Sequence, residues 1–399
     1  MTTYDIIVAG TGPTGLAAAA AFAGGGAHVA LVGPALRPGA APDTRTAALF
    51  SGSMALLSHL GTLPQLEPEI TPLKGIRIID DGDHLLRAPE VTFEARELGL
   101  PDFGANVPQM PLNEALTIAV ARNPAITRIH GEVTAIELTP TSALVRLAGG
   151  DIIEAQLVAA ADGRNSFCRD AAGIGVDRWD YPQTAIAAQF SHGRAHHGIS
   201  TEFHRPAGPC TVVPMPGLRS SLVWVERPAI AQRLSKLDDD AFARTLESRL
   251  HGLLGSLSEM GPRRLFPLSC LKAHTLGRNR VALIGDAGHT MPPIGAQGLN
   301  LGFRDVAVLA DLISEARDRG EDIGGSDLLA RYADARRLDV GVRINAVDLL
   351  NRSLLVDMLP ADLARGIGMH AIASIGPLKR QVMRAGFEPT GNLPSLMRA

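Results

Sequence analysis

One short stretch near the start constrains the fold more than any other. Ile6-Ile7-Val8, within Asp5 to Ala9, is a continuous apolar run, the pattern of a strand buried on both faces of a parallel sheet. Gly10-Thr-Gly12-Pro-Thr-Gly15 follows at once. Leu16 to Ala23 is helical by propensity, Pro13 suits a first helical turn, and Gly24-Gly25-Gly26 ends the helix. His28 to Val32 predicts a second strand. Strand, glycine turn, helix and strand in this order form the unit that holds a dinucleotide pyrophosphate. Gly10 permits the tight turn, Gly12 lets backbone approach the ligand, and Gly15 lets helix pack on strand. The second strand should close on an acid for the adenosine ribose, but Gly33-Pro34 stands there. Arg37 is nearby and is given no role.

A second stretch, Arg280 to Asp305, carries the other half of the chemistry. Val281 to Ile284 is a short buried strand. Asp286 sits where it stops, a turn rich in Gly and Pro follows, and a helix begins near Gly298. Leu299, Phe303, Val306, Leu309 and Ala310 recur along that helix at helical spacing. Its start offers free N–H groups and a partial positive charge. Sugar hydroxyls at Asp286 and an anion-forming ring at the helix start describe a flavin. Between the two stretches, an apolar strand from Leu157 runs into Asp162-Gly163-Arg164. Asp162 there is placed to accept from a ribityl or ribose hydroxyl, and Arg164 and Arg169 to meet phosphate. The competing reading of this motif is a purely structural strand–Asp-Gly turn. Arg45 is either a solvated loop charge or a contact to the cofactor.

The remaining sequence sets the frame. At 399 residues the chain exceeds the usual single-core limit, so two domains or one composite fold are expected. A net charge of -3 gives no bulk attraction to nucleic acid. Cys168, Cys210 and Cys270 form neither a disulfide framework nor a metal spacing, which suggests buried thiols in a reducing compartment. The start has no secretory pattern, and no window approaches a spanning segment of roughly 18 apolar residues. A cytoplasmic protein, soluble or peripheral on the inner membrane, is expected.

Asp43-Thr-Arg45-Thr leads into an apolar helix over Met54 to Leu60. Lys74 to Asp80 alternates as a half-buried strand, and Asp80-Asp-Gly-Asp83 reads as a solvated turn lacking the further ligands of a metal loop. Pro111 to Ala121 reads as a helix, and Ile126 to Leu147 as strands around Thr-Pro-Thr-Ser. Ala185 to Phe190, Ser200 to His204 and Ser221 to Val225 alternate as antiparallel strands of an inserted sheet, whose apolar wall suits a substrate pocket. His192, His196 and His197 lack a partner at ligand spacing, so no metal is expected. Asp238 to Leu250 reads as a helix. From Gly324 the chain is helical. Leu349-Leu350, Leu354-Leu355 and Met358-Leu359 lie there among Arg343, Arg352, Arg365, Lys379, Arg380 and Arg384. This is either a bundle packed on the core or a basic, apolar face for a membrane surface.

Gly10-to-Gly15, Asp162-Gly163 and Gly285-Asp286, in that order, resemble the group A flavoprotein aromatic hydroxylases, whose fold is that of p-hydroxybenzoate hydroxylase. His289 to Asp305 is similar to the signature of the ubiquinone-biosynthesis hydroxylases, H-P-[LIV]-[AG]-G-Q-G-x-N-x-G-x-x-D. Pro293, Ile294, Gly295, Gln297, Gly298, Asn300, Gly302 and Asp305 match it, while Pro292 replaces the His and Ala296 a Gly. Pro-Pro-Ile-Gly-Ala-Gln-Gly resembles the alphaproteobacterial branch, and Leu350-Asn-Arg-Ser-Leu-Leu also looks like the family.

The resemblance implies an α/β fold: a Rossmann-like FAD-binding domain (1–72, 97–178 and 263–320), an inserted, mostly antiparallel substrate sheet (73–96 and 179–262) and C-terminal helices (321–399). It implies noncovalent FAD on Gly10, Gly12, Gly15, Arg45, Gln109, Asp162, Gly163, Gly285, Asp286, Gly298, Leu299 and Asn300. The loop of Pro293, Gly295, Gln297, Gly298 and Asn300 would face the flavin ring. Neither an acid–base pair nor a metal is implied. The implied reaction is hydroxylation of a polyprenylated phenol or benzoquinol by O2 and NAD(P)H through a C4a-hydroperoxyflavin, with peripheral membrane contact and a ubiquinone-biosynthesis assembly as partners. Two alternatives stand beside it: a hydroxylase of a small soluble aromatic, and a non-catalytic flavoprotein scaffold.

Overall fold

Ile6, Ile7 and Val8 are fully buried because their strand, Thr2–Ala9, runs through the middle of a parallel sheet. It pairs in parallel with Val29–Gly33 on one side and Ile152–Ala160 on the other. Ile126–His130 and Val281–Leu283 extend the sheet outward. Apolar residues on both faces need helices on both faces. Pro13–Gly24, Gln109–Arg122 and Gln297–Asp318 supply cover. Each fully buried aliphatic side chain in this layer is worth about 1.5–3 kcal/mol. The computed structural model describes residues 2–34, 43–82, 88–355, 370–371, 374–387 and 392–398. Arg37, Asp83, Met358, Leu359 and Arg365 lie outside them.

The second sheet has nine strands among the described residues and is largely antiparallel. Its spine is the 17-residue strand Val176–His192, which pairs with Arg264–Ala273 and with Arg219–Glu226. Cys210–Met215 and Ile199–His204 continue it. Gly75–Asp80 then joins in parallel with Ile199–His204, and Val91–Glu94 closes the edge. The expected alternating strands are all present. Cys210–Met215 is an additional one, masked in the sequence by Pro209 and Pro214. Helices Pro228–Ser235 and Asp239–Arg249 cover one face of this sheet, around Trp224, Phe242 and Leu246. Asp238 caps the second by accepting from Ala241 N at 2.7 Å.

A small sheet of Thr46–Phe50, Gly104–Pro108 and Thr71–Pro72 adjoins the antiparallel one. Thr46 Oγ1 meets Ser221 Oγ at 2.8 Å, and Asn106 Nδ2 donates to Pro214 O at 2.8 Å. These contacts stitch it to the antiparallel sheet. At the C-terminal end, Ser326–Leu355 is one long helix and Gly376–Phe387 a shorter one. Among the described residues, no helix is long and apolar enough to cross a membrane.

One expectation fails here. Asp81, read as part of a solvated turn, is 3% exposed. It accepts from Arg205 Nε at 2.5 Å and lies 2.7 Å from His251 Nε2. The strand pairing of Gly75–Asp80 with Ile199–His204 carries Asp81 inward against Arg205, which follows that strand.

Candidate active site

The glycine turn divides its labour by geometry. Gly10 has φ 118°, and a Cβ there would stand 2.2 Å from Ala161 O. A Cβ at Gly15 would stand 2.0 Å from Gly10 O. Both positions therefore exclude a side chain so that turn, helix and strand can touch. A Cβ at Gly12 meets nothing within 4 Å, so this glycine faces open space. That space is a 460 Å³ cavity lined by Gly12, Thr14, Gly15, Arg45, Gln109, Gly163, Gly285, Asp286, Gly298 and Leu299, among others. An exposed backbone turn at the start of a helix is the cradle a pyrophosphate requires.

Gly33 also has a physical reason. A Cβ there would lie 2.6 Å from Thr11 Cγ2. Thr11 in turn reaches Pro34 O at 3.4 Å. An acid cannot occupy the end of this strand without displacing Thr11.

The two strand-end motifs converge on the same cavity. Asp162 Oδ2 accepts from Cys168 N at 3.0 Å, while its Oδ1 is buried without a hydrogen-bond partner among the described residues. Gly163 has φ 83°, and a Cβ there would point into open space. Asp286 lines the cavity and keeps exposed surface there. Burial pushes its carboxyl above the usual range, against the pull of His289, Arg164 and Arg45. Arg169 does not meet phosphate as the sequence suggests. It is 2% exposed and donates through Nη1 to Arg164 O and Ala287 O, each at 3.1 Å. It is the brace that joins the Asp162 turn to the Asp286 turn.

Arg45 and Gln109 arrive together because Thr46–Phe50 and Gly104–Pro108 are paired strands, and Gln109 N donates to Arg45 O at 3.0 Å. Arg45 forks onto Asp43 at 2.6 Å and lies 5.3 Å over the Phe266 ring. It stands at the border of a second, adjoining cavity of 230 Å³. Ala185, Ala187, Leu222, Val223, Phe266, Leu268 and Met291 make that cavity apolar, with Thr44, Thr46, Ser221, Ser269 and Arg164 as its polar points. Ala185 pairs with Phe266 and Ala187 with Val223, so the wall is one face of the antiparallel sheet.

Helix Gln297–Asp318 begins on Ala296, which has φ 54°. Gly295 before it has φ 65°. The left-handed Ala costs roughly 1–2 kcal/mol. Pro293, Gly295, Gly298 and Leu299 line the 460 Å³ cavity. Gln297 and Asn300 do not present their side chains to it. Asn300 is 2% exposed, and its amide is fully engaged. It accepts from Phe50 N (2.9 Å) and Ser53 Oγ (2.7 Å), and donates to Ala48 O (2.8 Å) and Ala296 O (2.7 Å). The loop itself lines the cavity, and these two side chains shape it from behind.

A buried charge network underlies the loop, and the sequence alone suggested no function for it. Asp305 accepts from Gly285 N at 2.9 Å, His289 Nε2 at 2.6 Å and Arg336 Nε at 2.6 Å. Burial works against its ionisation, yet His289 and Arg336 hold its carboxyl below the usual range. Arg336 and Arg304 both reach Asp339 Oδ2, at 2.8 and 2.6 Å. The available signal was Arg336, Asp339 and Arg343 sharing one helix face with Tyr332, Val340 and Ile344.

A larger depression of 690 Å³ lies at the opposite end of helices Pro13–Gly24 and Gln297–Asp318. Helix C-termini and the carboxylates Asp311, Glu315 and Asp318 line it, so it repels a pyrophosphate. Among the described residues, no His, Cys, Asp or Glu cluster could hold a metal.

The FAD binding domain family matches residues 3–344. The chain is 36% identical to the ubiquinone hydroxylase UbiL of Rhodospirillum rubrum, over 99% of this chain and 92% of that one. It is 30% identical to the 3-demethoxyubiquinol 3-hydroxylase of Escherichia coli, over 86% of this chain and 87% of that one. The solved structure of p-nitrophenol 4-monooxygenase PnpA from Pseudomonas putida shares the fold. Its TM-score is 0.78 at 19% identity, over 98% of this chain and 100% of that one. The chain belongs to the FAD binding domain family, in the lineage of the ubiquinone-biosynthesis hydroxylases.

Proposed function

We propose that this protein is an FAD-dependent monooxygenase that hydroxylates the aromatic ring of a polyprenylated phenol or benzoquinol in ubiquinone biosynthesis, using O2 and NAD(P)H. The observation that carries the reading is the pair of adjoining cavities. One is floored by a glycine turn and the strand-end acid Asp286, the other is apolar, and Asp286, Met291, Pro293 and Gly298 border both.

The residues present fit FAD. Gly10 and Gly15 shape the turn, and Gly12 leaves room for the pyrophosphate. The start of helix Gln297–Asp318, at Gly298 and Leu299, turns N–H groups and a positive dipole end toward the ring. Asp286 suits a ribityl hydroxyl, and Gly163, Gly285, Arg45 and Gln109 complete the lining. Asp162 and Asn300 act by holding their turns. Bound FAD supplies the redox chemistry and oxygen activation that no side chain here provides. The chain's own part is to orient the substrate ring against the Phe266 and Met291 wall and to keep water out. The 230 Å³ cavity holds a substituted ring, and the polyprenyl tail leaves by its open side toward a membrane surface.

Mass spectrometry of quinone lipids from a strain lacking the gene tests this reading. Accumulation of a prenylated intermediate short of a hydroxyl is the expected result. An unchanged profile in a strain without a redundant hydroxylase excludes the quinone substrate and moves the search to small soluble aromatics. Tight FAD without substrate-stimulated NAD(P)H oxidation indicates a scaffold.

A further inference from the structure

The turn Gly295–Ala296 consists of two successive left-handed residues, with φ 65° and 54°, and it is held from two sides. On one side Asn300 Nδ2 binds the Ala296 carbonyl at 2.7 Å. On the other, Gln297 Nε2 donates to Gly295 O at 3.0 Å and to Gly386 O at 3.3 Å. Arg343 fixes that second grip. Its Nη1 donates to Gln297 Oε1 at 2.7 Å and to Gly386 O at 3.0 Å, while its Nε donates to Asp339 Oδ1 at 3.0 Å.

Gly386 belongs to the C-terminal helix Gly376–Phe387, which is anchored elsewhere. Met383, 1% exposed, packs with Val91, Phe93 and Phe103 at the edge of the antiparallel sheet. Lys379 Nζ lies 2.7 Å from Glu97 Oε1 and 5.9 Å from the Phe93 ring. One short helix therefore grips the sheet edge through Met383 and Lys379, and offers a carbonyl near its C-terminal end to the cavity loop.

We propose that Arg343 is a positioning residue and that the C-terminal helix is a working part of the FAD site. Arg343 and the Gly386 carbonyl fix Gln297, and Gln297 fixes the left-handed turn whose Gly295 and Ala296 line the cavity. The inference rests on membership of the FAD-binding family, not on the substrate. A guanidinium suits this position because its rigid fork binds Asp339 with one nitrogen and aims another at two acceptors. A released turn no longer aims the N–H groups at the helix start, and aim is what the site contributes.

The test compares Arg343→Ala, Arg343→Lys and Lys379→Ala in the full chain. Three readouts are followed: hydrogen exchange of residues 376–387 in FAD-free protein, the FAD dissociation constant, and the visible absorption of bound FAD. Arg343→Ala is expected to speed exchange in the helix, weaken FAD about tenfold, the loss of roughly one charged hydrogen bond, and shift the flavin bands. Cooperative melting persists, because Asp339 keeps two arginines. Arg343→Lys recovers part of the affinity. Lys379→Ala, acting at the sheet edge, moves all three readouts the same way by less. A folded Arg343→Ala protein with unchanged FAD affinity and spectrum overturns the proposal. So does faster exchange in Lys379→Ala with the flavin untouched, and this arm decides the matter if Arg343→Ala fails to fold. None of these readouts depends on the aromatic substrate, so a negative quinone-lipid result leaves them interpretable.

Discussion

His289 Nε2 stands 2.6 Å from Asp305 Oδ2, and neither side chain has exposed surface. The pair ties the strand-end turn that carries Asp286 to the helix that follows the cavity loop. Arg336 on a third element closes the triangle. The flavin-side architecture thus hangs on one buried carboxylate.

Asp305→Ala leaves Arg336 buried without its 2.6 Å partner. Breaking a buried pair from one side costs about 3–5 kcal/mol. The urea midpoint of the apo protein is expected to fall accordingly, and a loss under about 1 kcal/mol would show that the network relaxes around the gap.

The same network predicts acid sensitivity. Asp305 and Asp339 are both held below the usual carboxylate range in the folded state. Their stabilising contribution is complete above the unfolded value, about pH 4, and is lost as pH falls through the lower folded values. Thermal melts of apo protein stepped down from pH 6 should lose stability below about pH 4. The loss should be smaller in a variant lacking Asp339.

Asp286 behaves in the opposite sense. Its carboxyl is pushed up by burial, so the folded apo protein binds a proton more readily than the unfolded chain does. Stability from this group falls as pH rises through the window above the ordinary carboxylate value. Asp286→Asn should therefore raise the apo melting temperature at neutral pH while weakening FAD, as measured by melting and by titration.

Two of the three glycines separate by experiment. Gly12→Ala adds a Cβ into open space, so apo stability should hold while FAD affinity drops at least about tenfold, ~1.4 kcal/mol. Gly15→Ala drives its Cβ against Gly10 O and should cost about 1–3 kcal/mol of stability. Parallel melting and FAD titration distinguish the two.

Ala296→Gly removes left-handed strain of roughly 1–2 kcal/mol, partly offset by the greater freedom of glycine in the unfolded chain. A small net gain in melting temperature is expected. Asn300→Ala removes four hydrogen bonds and should cost about 2–4 kcal/mol.

Local grammar was readable where backbone geometry demanded particular residues. Gly10 to Gly15 needed both a tight turn and bare backbone, and the alternating strands around Ala185 and Val223 needed one buried face. Side-chain direction was less legible. Gln297 and Asn300 follow the cavity loop in sequence, yet both turn away from the cavity, because their partners, Gly386, Arg343, Ala48 and Phe50, come from distant elements. Arg169 looked like a phosphate ligand for the same reason: nothing local announces that Ala287 O lies 3.1 Å from it. The role of Arg343 was invisible because Gly386 reaches it only through the docking of the last helix.

The parallel pairing of Ile199–His204 with Gly75–Asp80 has a consequence for how the chain is made. The antiparallel sheet draws its edge from residues before 95 and its spine from residues after 175, while the parallel sheet waits for Val281–Leu283 and the helix after it. Neither sheet can be completed from one contiguous stretch. During synthesis both stay open until most of the polypeptide has left the ribosome, and such high contact order makes folding slow. Open strand edges are prone to aggregation, and here they stay unpaired until the strands after residue 280 have emerged.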